Sequence, residues 1–188
     1  PDQKITLSSN PYNWFEASFF YTNIQGKPYP GYKFQDYKDK GFNLKVRLKE
    51  EGYLPAIAIG LNDFAGTGFY SSEYIVSSYG ISNFDFHFGI GWGQLSGSDN
   101  FKNPLTYISD VFNTRGSYSS LGGSFTPDQY FSGAKASPFF GISYKYKNNL
   151  FFNFEKDPIN TDGKMPYPNK DNQYSYGLVY KINNNFNI

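Results

Sequence analysis

The chain has 188 residues with 20 Phe, 18 Tyr and 2 Trp, sets 17 basic against 16 acidic side chains, and carries one His and no Cys. The near-zero net charge removes the usual electrostatic case for nucleic acid, and the missing cysteines exclude a disulfide scaffold, a thiol nucleophile and a Cys zinc site. No window approaches the ~18 consecutive apolar residues of a membrane-crossing helix. A charged n-region followed by an apolar stretch is also missing, so the sequence from Pro1 reads as a processed or partial chain, 1–188 forming one domain.

Period-two alternation recurs along the chain, and helical spacing is nearly absent. It predicts eight strands, over roughly 13–24, 40–51, 54–64, 70–81, 84–95, 138–147, 150–157 and 173–183. From Phe42 to Lys49 the even positions are apolar and the odd ones polar or charged. From Phe84 to Gly93 one face carries large apolar side chains, and the other carries Asp85, His87 and glycines. Tyr174, Tyr176, Leu178, Tyr180 and Ile182 repeat the pattern near the end. Successive strand side chains point to opposite sides, so each run is a two-faced ribbon. Most runs exceed the ~5–6 residues of a typical strand and approach the ~9–11 that cross a bilayer when tilted.

The joints alternate in length. Gly52-Tyr53, Ser82-Asn83 and Asn148-Asn149 are tight, whereas 25–39, 65–69, 96–137 and 158–172 are longer. Short turns at one end and long loops at the other mark an up-and-down barrel of the outer-membrane kind. The fold class expected is therefore all-β, an antiparallel up-and-down transmembrane β-barrel of about eight strands, with 96–137 as its long extracellular loop.

A lipocalin-like barrel, by contrast, turns its apolar face inward around an apolar ligand. Here the polar face is small (Gly60, Gly89, Gly91, Gly93, Gly141, Ser143, Gly177) and carries charges of both signs, which suits a narrow interior. The aromatic face suits girdles at two membrane interfaces. A polar network of Glu16, Lys45, Arg47, Glu73, Asp85 and His87 is expected inside the barrel. Outside it the expected partner is outer-membrane lipid. Ser175 to Ile182 resembles the closing-strand insertion signal of bacterial outer-membrane barrels.

The stretch from Glu51 to Tyr74, with Asn62-Asp63-Phe64-Ala65-Gly66-Thr67-Gly68-Phe69-Tyr70 at its centre, continues into Phe88-Gly89-Ile90-Gly91-Trp92-Gly93. Gly122-Gly123, Tyr130-Phe131-Ser132-Gly133, Phe139 to Tyr144 and Phe152 to Glu155 follow in order. Together these resemble the YjbH-like family of bacterial outer-membrane proteins. That resemblance implies a part in exopolysaccharide and capsule production, and a location in the bacterial outer membrane. Family members are longer and typically lipid-anchored, so this chain is read as a short relative or one barrel of a larger protein. Within the shared segment, Asp63, Gly66, Thr67, Gly68 and Glu73 form a turn whose glycines permit positive φ. Asp63 or Glu73 is expected to anchor that turn or to meet Arg47.

His87 beside Asp85, with serines nearby, is raw material for acyl transfer, and a lipid-modifying outer-membrane enzyme is one alternative. No G-x-S-x-G elbow accompanies it, and the expectation is no catalytic residue and no enzyme. A single His without Cys supplies no metal set, and no cofactor is expected. The glycine pairs lie in strands with no following helix to hold a phosphate, and no basic stripe suits nucleic acid. In the long loop, Tyr107, Asp110, Tyr118 and Tyr130 are candidate saccharide contacts, since Asp hydrogen-bonds sugar hydroxyls and Tyr stacks on sugar faces. Loops beyond ~15 residues are functional or disordered.

These expectations make a non-enzymatic component of exopolysaccharide assembly or export, acting as anchor, docking platform or saccharide contact beside other export-system proteins. Eight strands enclose an interior filled by side chains, too narrow for a polymer, and further strands would reopen the pore.

Overall fold

The computed structural model describes residues 3–29, 31, 34–68, 70–116, 127–147, 149–159, 173–183 and 186–187. Strands β1 (Gln3–Tyr12), β2 (Phe15–Pro28), β3 (Asp36–Lys49), β4 (Ala56–Phe64), β5 (Ser72–Ile81) and β6 (Phe84–Gly93) follow one another as a meander. Beyond them come β7 (Phe101–Lys102), β8 (Lys135–Tyr146), β9 (Leu150–Lys156), β10 (Tyr174–Asn183) and β11 (Phe186–Asn187). All belong to one antiparallel sheet in chain order, except that the short β7 pairs with β8 beside the path. Helical structure among the described residues is confined to four 3₁₀ turns of three or four residues. None is long and apolar enough to cross a membrane.

Register fixes which residues share a face. Glu16 stands opposite Lys45, Ser78 opposite His87, His87 opposite Gly141, and Gly141 opposite Glu155. These positions define the polar face, along which the sheet lines a half-open cavity of about 590 Å³. The other face holds Ile5, Leu7, Phe42, Ile75, Phe88 and Leu178, each between 38% and 66% exposed. Aromatic neighbours tile that face, with Phe84 4.6 Å from Tyr144 and Phe154 5.1 Å from Tyr176 between ring centroids. Buried apolar residues among those described are few: Phe20, Ile24, Ala58, Trp92, Leu95 and Ala136. A water-soluble fold of this size normally hides its large apolar side chains. This sheet leaves many of them open along one face, except around Trp92 and Ala136, which are buried.

One expectation is corrected: the alternation predicts eight strands, but β1 precedes the first of them, so nine long strands form the meander. The closure expected of a barrel is not shown. Among the described residues no ladder joins β1 to β10 or β11, and the sheet is open at both edges. The reason is directional. After an odd number of antiparallel strands, β1 and β10 run the same way, so they do not continue the antiparallel pattern with each other. β11 begins the next antiparallel lane against β10, through Lys181 opposite Asn187 and Asn183 opposite Phe186.

The turns keep their asymmetry. Residues 13–14, 50–55, 82–83 and 147–149 connect strands at one end. Residues 29–35, 65–71, 94–134 and 157–173 connect them at the other.

Candidate functional site

Along the polar face, small residues on one strand make room for large ones on the next. Gly41 faces Phe20, Gly60 faces Tyr74, and Gly89 faces Phe139 in direct cross-strand pairs. A Cβ at Gly60 would fall within the Tyr74 ring, and one at Gly89 within the Phe139 ring. Each ring therefore lies across its neighbour's bare backbone instead of standing into the cavity. Tyr74 and Phe139 come from strands on either side of β6 and meet edge to face, with centroids 6.0 Å apart. Leu95 takes the remaining space above Gly91.

The charged members sit around these rings. Lys45 Nζ donates to Glu16 Oε1 at 3.2 Å, and Arg47 Nη2 donates to Glu50 Oε1 at 3.0 Å. Glu16, Lys45, Arg47, His87 and Glu155 all line the same cavity. His87 Nδ1 and Ser78 Oγ are 2.8 Å apart in a hydrogen bond whose direction the ring's tautomer sets. Asp85 shares the face but stands in the exposed row next to the turn at 82–83, outside the cavity lining. No hydrogen bond joins His87 to Asp85 or Glu155. Gly141 separates the imidazole from Glu155, each lying 3.6 Å from the place its Cβ would occupy. The arrangement is a serine–histidine contact lacking an oriented acid, short of the acyl-transfer constellation.

Glu73 does not join this group. Tyr74, Val76 and Ser78 line the cavity, so Glu73, one position earlier, points to the opposite side, across from Trp92. It is fully buried there, and its partner is Arg115 instead of Arg47. The Arg115 guanidinium grips both carboxylate oxygens at 2.8 and 2.7 Å, and the Phe131 N–H donates to the same carboxylate at 2.9 Å. Beside it, Asn103 is fully buried. Its Oδ1 accepts from Trp92 Nε1 at 2.8 Å and from Leu105 N at 3.1 Å. Its Nδ2 donates to the carbonyls of Phe131 and Gly133 at 3.0 and 2.9 Å. These two residues tie the described parts of the connection, 94–116 and 127–134, to the sheet at Trp92 and Glu73.

At the end of β4, beside the 65–71 turn, Asp63 is buried with φ 52°, a left-handed geometry that Asp adopts more readily than most residues. Asp63 Oδ2 accepts from Tyr70 N at 3.1 Å, and the Asp63 amide donates to Asn43 Oδ1 at 3.1 Å. Thr67 N donates to the Lys40 carbonyl at 2.9 Å, and the Thr67 hydroxyl donates to Asp39. Gly68 uses φ 81°. Gly66 is required for a different reason: a Cβ there would strike Asp63, the Lys40 carbonyl and the Gly41 backbone. Asp63 thus joins Tyr70 across the turn and Asn43 on β3.

The loop candidates scatter. Tyr107 is 75% exposed with Lys102 Nζ 4.4 Å from its ring centroid. Asp110 is exposed and accepts from Asn113 at 2.9 Å. Tyr130 packs against Phe64 at 5.8 Å. Tyr118 lies outside the described residues. No group of three or more metal-binding side chains occurs among the described residues.

The molecule is thus an all-β protein built on one large antiparallel sheet, with a polar face around a cavity and an apolar face left open. The chain belongs to the YjbH family, described as "Exopolysaccharide biosynthesis protein YbjH", whose profile matches residues 1–188. It is 36% identical over 179 residues to the "Uncharacterized lipoprotein YjbH" of Escherichia coli strain K12. That match covers 90% of this chain and 25% of the relative, so the chain spans about a quarter of the relative's length. No solved structure matches.

Proposed function

We propose that this sheet is a wall of a β-barrel in the bacterial outer membrane, and that it serves as a non-enzymatic component of exopolysaccharide assembly or export. The observation that carries the reading is the apolar face, which bears exposed large apolar side chains on eight of the nine long strands. In water such a face would cost about 25 cal/mol for each Å² left wet, and lipid removes that cost. Strand lengths, the alternation of short turns with long connections, and the aromatic tiling agree with a barrel wall. The family description supports the polymer, and the E. coli relative's description as a lipoprotein supports an envelope setting.

On this reading further strands complete the barrel. The open edges at β1 and β10, their common direction and the start of β11 all support that. Nine strands already exceed the eight whose interior is filled by side chains. A conduit role therefore returns, beside anchoring and docking to other export-system proteins. The test has two arms. The full-length protein, extracted from outer membranes, is run on a gel with and without boiling, and polymer output is measured after deletion of its gene. A heat-dependent shift with loss of surface polymer is expected. Recovery in the aqueous fraction without a shift, or undiminished polymer, overturns the proposal.

A further inference from the structure

We infer that the Tyr74–Phe139 pair on the polar face is a stacking platform for the pyranose rings of a neutral polysaccharide; this rests on the export reading and assigns that function a binding site. Aromatic side chains on the apolar face have lipid as their counterpart. The rings on the polar face meet other partners: Lys4 stands over Phe20 and Lys181 over Phe151, whereas Tyr74 and Phe139 meet each other, and three of these rings, Phe20, Tyr74 and Phe139, lie over a glycine of the adjacent strand. Phe20 over Gly41 is closed off, only 5% exposed, and serves packing. Tyr74 and Phe139 remain half-buried and line the cavity. Their glycines hold them against the wall, where they add an apolar surface without blocking the space above.

The surroundings select the ligand class. A pyranose presents axial C–H bonds on its faces and hydroxyls around its rim. An aromatic ring takes the face, and carboxylates, guanidinium and amide groups take the rim. Glu16, Lys45, Arg47 and Glu155 stand around the pair in the same cavity, whose 590 Å³ falls within the range of small-molecule sites. The basic lining groups are already paired, Lys45 with Glu16, Arg47 with Glu50 and Lys156 with Asp99, while Glu155 and Asp157 add negative charge to the lining. A polyanion would find no net positive field there, and an alkyl chain would leave those charges without hydration. A neutral glycan replaces water hydrogen bonds with its hydroxyls and covers the rings with its apolar faces.

The experiment uses the full-length protein in detergent micelles, titrated by calorimetry with three probes: a neutral glucan heptasaccharide, a polygalacturonate oligomer and decanoate. Binding of the neutral glucan alone is expected. Tyr74→Leu and Phe139→Leu keep apolar volume and remove the flat ring, and each should weaken binding at least tenfold. Tyr74→Phe should retain it. The unboiled gel shift of each variant confirms that the barrel persists, and if either leucine variant fails to fold, the wild-type probe series and Tyr74→Phe still decide. Glucan binding unchanged in folded leucine variants overturns the inference, as does preference for the polyanion or decanoate, or no binding by any saccharide. If glucan binding fails while gene deletion still abolishes polymer, the platform falls and the export reading stands. If deletion leaves polymer intact, the export reading itself falls.

Discussion

Glu73 and Arg115, separated by 42 residues of chain, form a two-pronged ion pair at 2.7 and 2.8 Å on the apolar side of the sheet, with the carboxylate wholly buried. Ser71 and the Ser132 carbonyl take further guanidinium hydrogens, so the charge is well satisfied. Breaking such a buried pair leaves an uncompensated charge, which costs about 3–5 kcal/mol. Glu73→Ala or Arg115→Ala should therefore lower the unfolding midpoint in detergent and open the 94–134 connection to added protease. The double variant Glu73→Leu with Arg115→Met should recover most of the loss. Equal stability of the single variants and the wild type would contradict the clamp.

The 65–71 turn makes a sharper steric demand. At Gly66 an added Cβ meets the backbone of β3 as well as Asp63, and the backbone cannot swing aside. Overpacking of this kind costs about 1–3 kcal/mol. Gly66→Ala should shift denaturant unfolding by that amount. At Gly52 nothing lies within 4 Å of the added atom, so Gly52→Ala should stay within about 0.5 kcal/mol. A Gly52 variant as damaging as the Gly66 variant would count against the turn's packing.

Charge placed on the open apolar face tests its solvent. Phe88 stands mid-strand in β6 and is 57% exposed. Arg facing lipid at the bilayer midplane costs about 2–4 kcal/mol. Phe88→Arg should therefore reduce membrane recovery and abolish the unboiled gel shift, while Asp85→Asn, on the polar face of the same strand, should preserve both. Full membrane recovery of Phe88→Arg would place that face outside lipid.

Much of this architecture is legible in the sequence because a strand's period of two is local. Each run from Phe42 to Ile182 shows its faces without reference to its neighbours. β1 is less visible: Ile5 and Leu7 start an alternation that Ser8, Ser9, Asn10 and Pro11 dissolve, and edge strands tolerate such residues, Pro included. Glu73 shows a different limit. Its acidic side chain reads as a polar-face residue, but the tight turn at 82–83 sets Ser78 against His87 and so Glu73 against Trp92. The two-residue turn carries that register in the sequence, whereas residue type alone points to the wrong face. Nothing local, however, predicts that Arg115 returns to Glu73 or that Asn103 collects the carbonyls of its loop. Those contacts depend on how a 41-residue connection folds back. The Tyr74–Phe139 contact lies between these cases. Gly60 of β4 and Gly89 of β6 are plain in the sequence, whereas the rings that cover them come from β5 and β8.

The most direct test of the account is a single-cysteine scan of β5 and β6, made clean over this segment by the absence of native cysteine. Cys replaces Tyr74, Ile75, Val76, Ser77 and Ser78 on β5, and Phe84 to Phe88 on β6, in the full-length protein within its membrane. A water-soluble, membrane-impermeant maleimide is then applied from both sides of the membrane. The account predicts labelling at 74, 76, 78, 85 and 87, with 75, 77, 84, 86 and 88 protected until detergent is added. Labelling without alternation, or protection confined to the polar face, would contradict a sheet whose apolar side meets lipid.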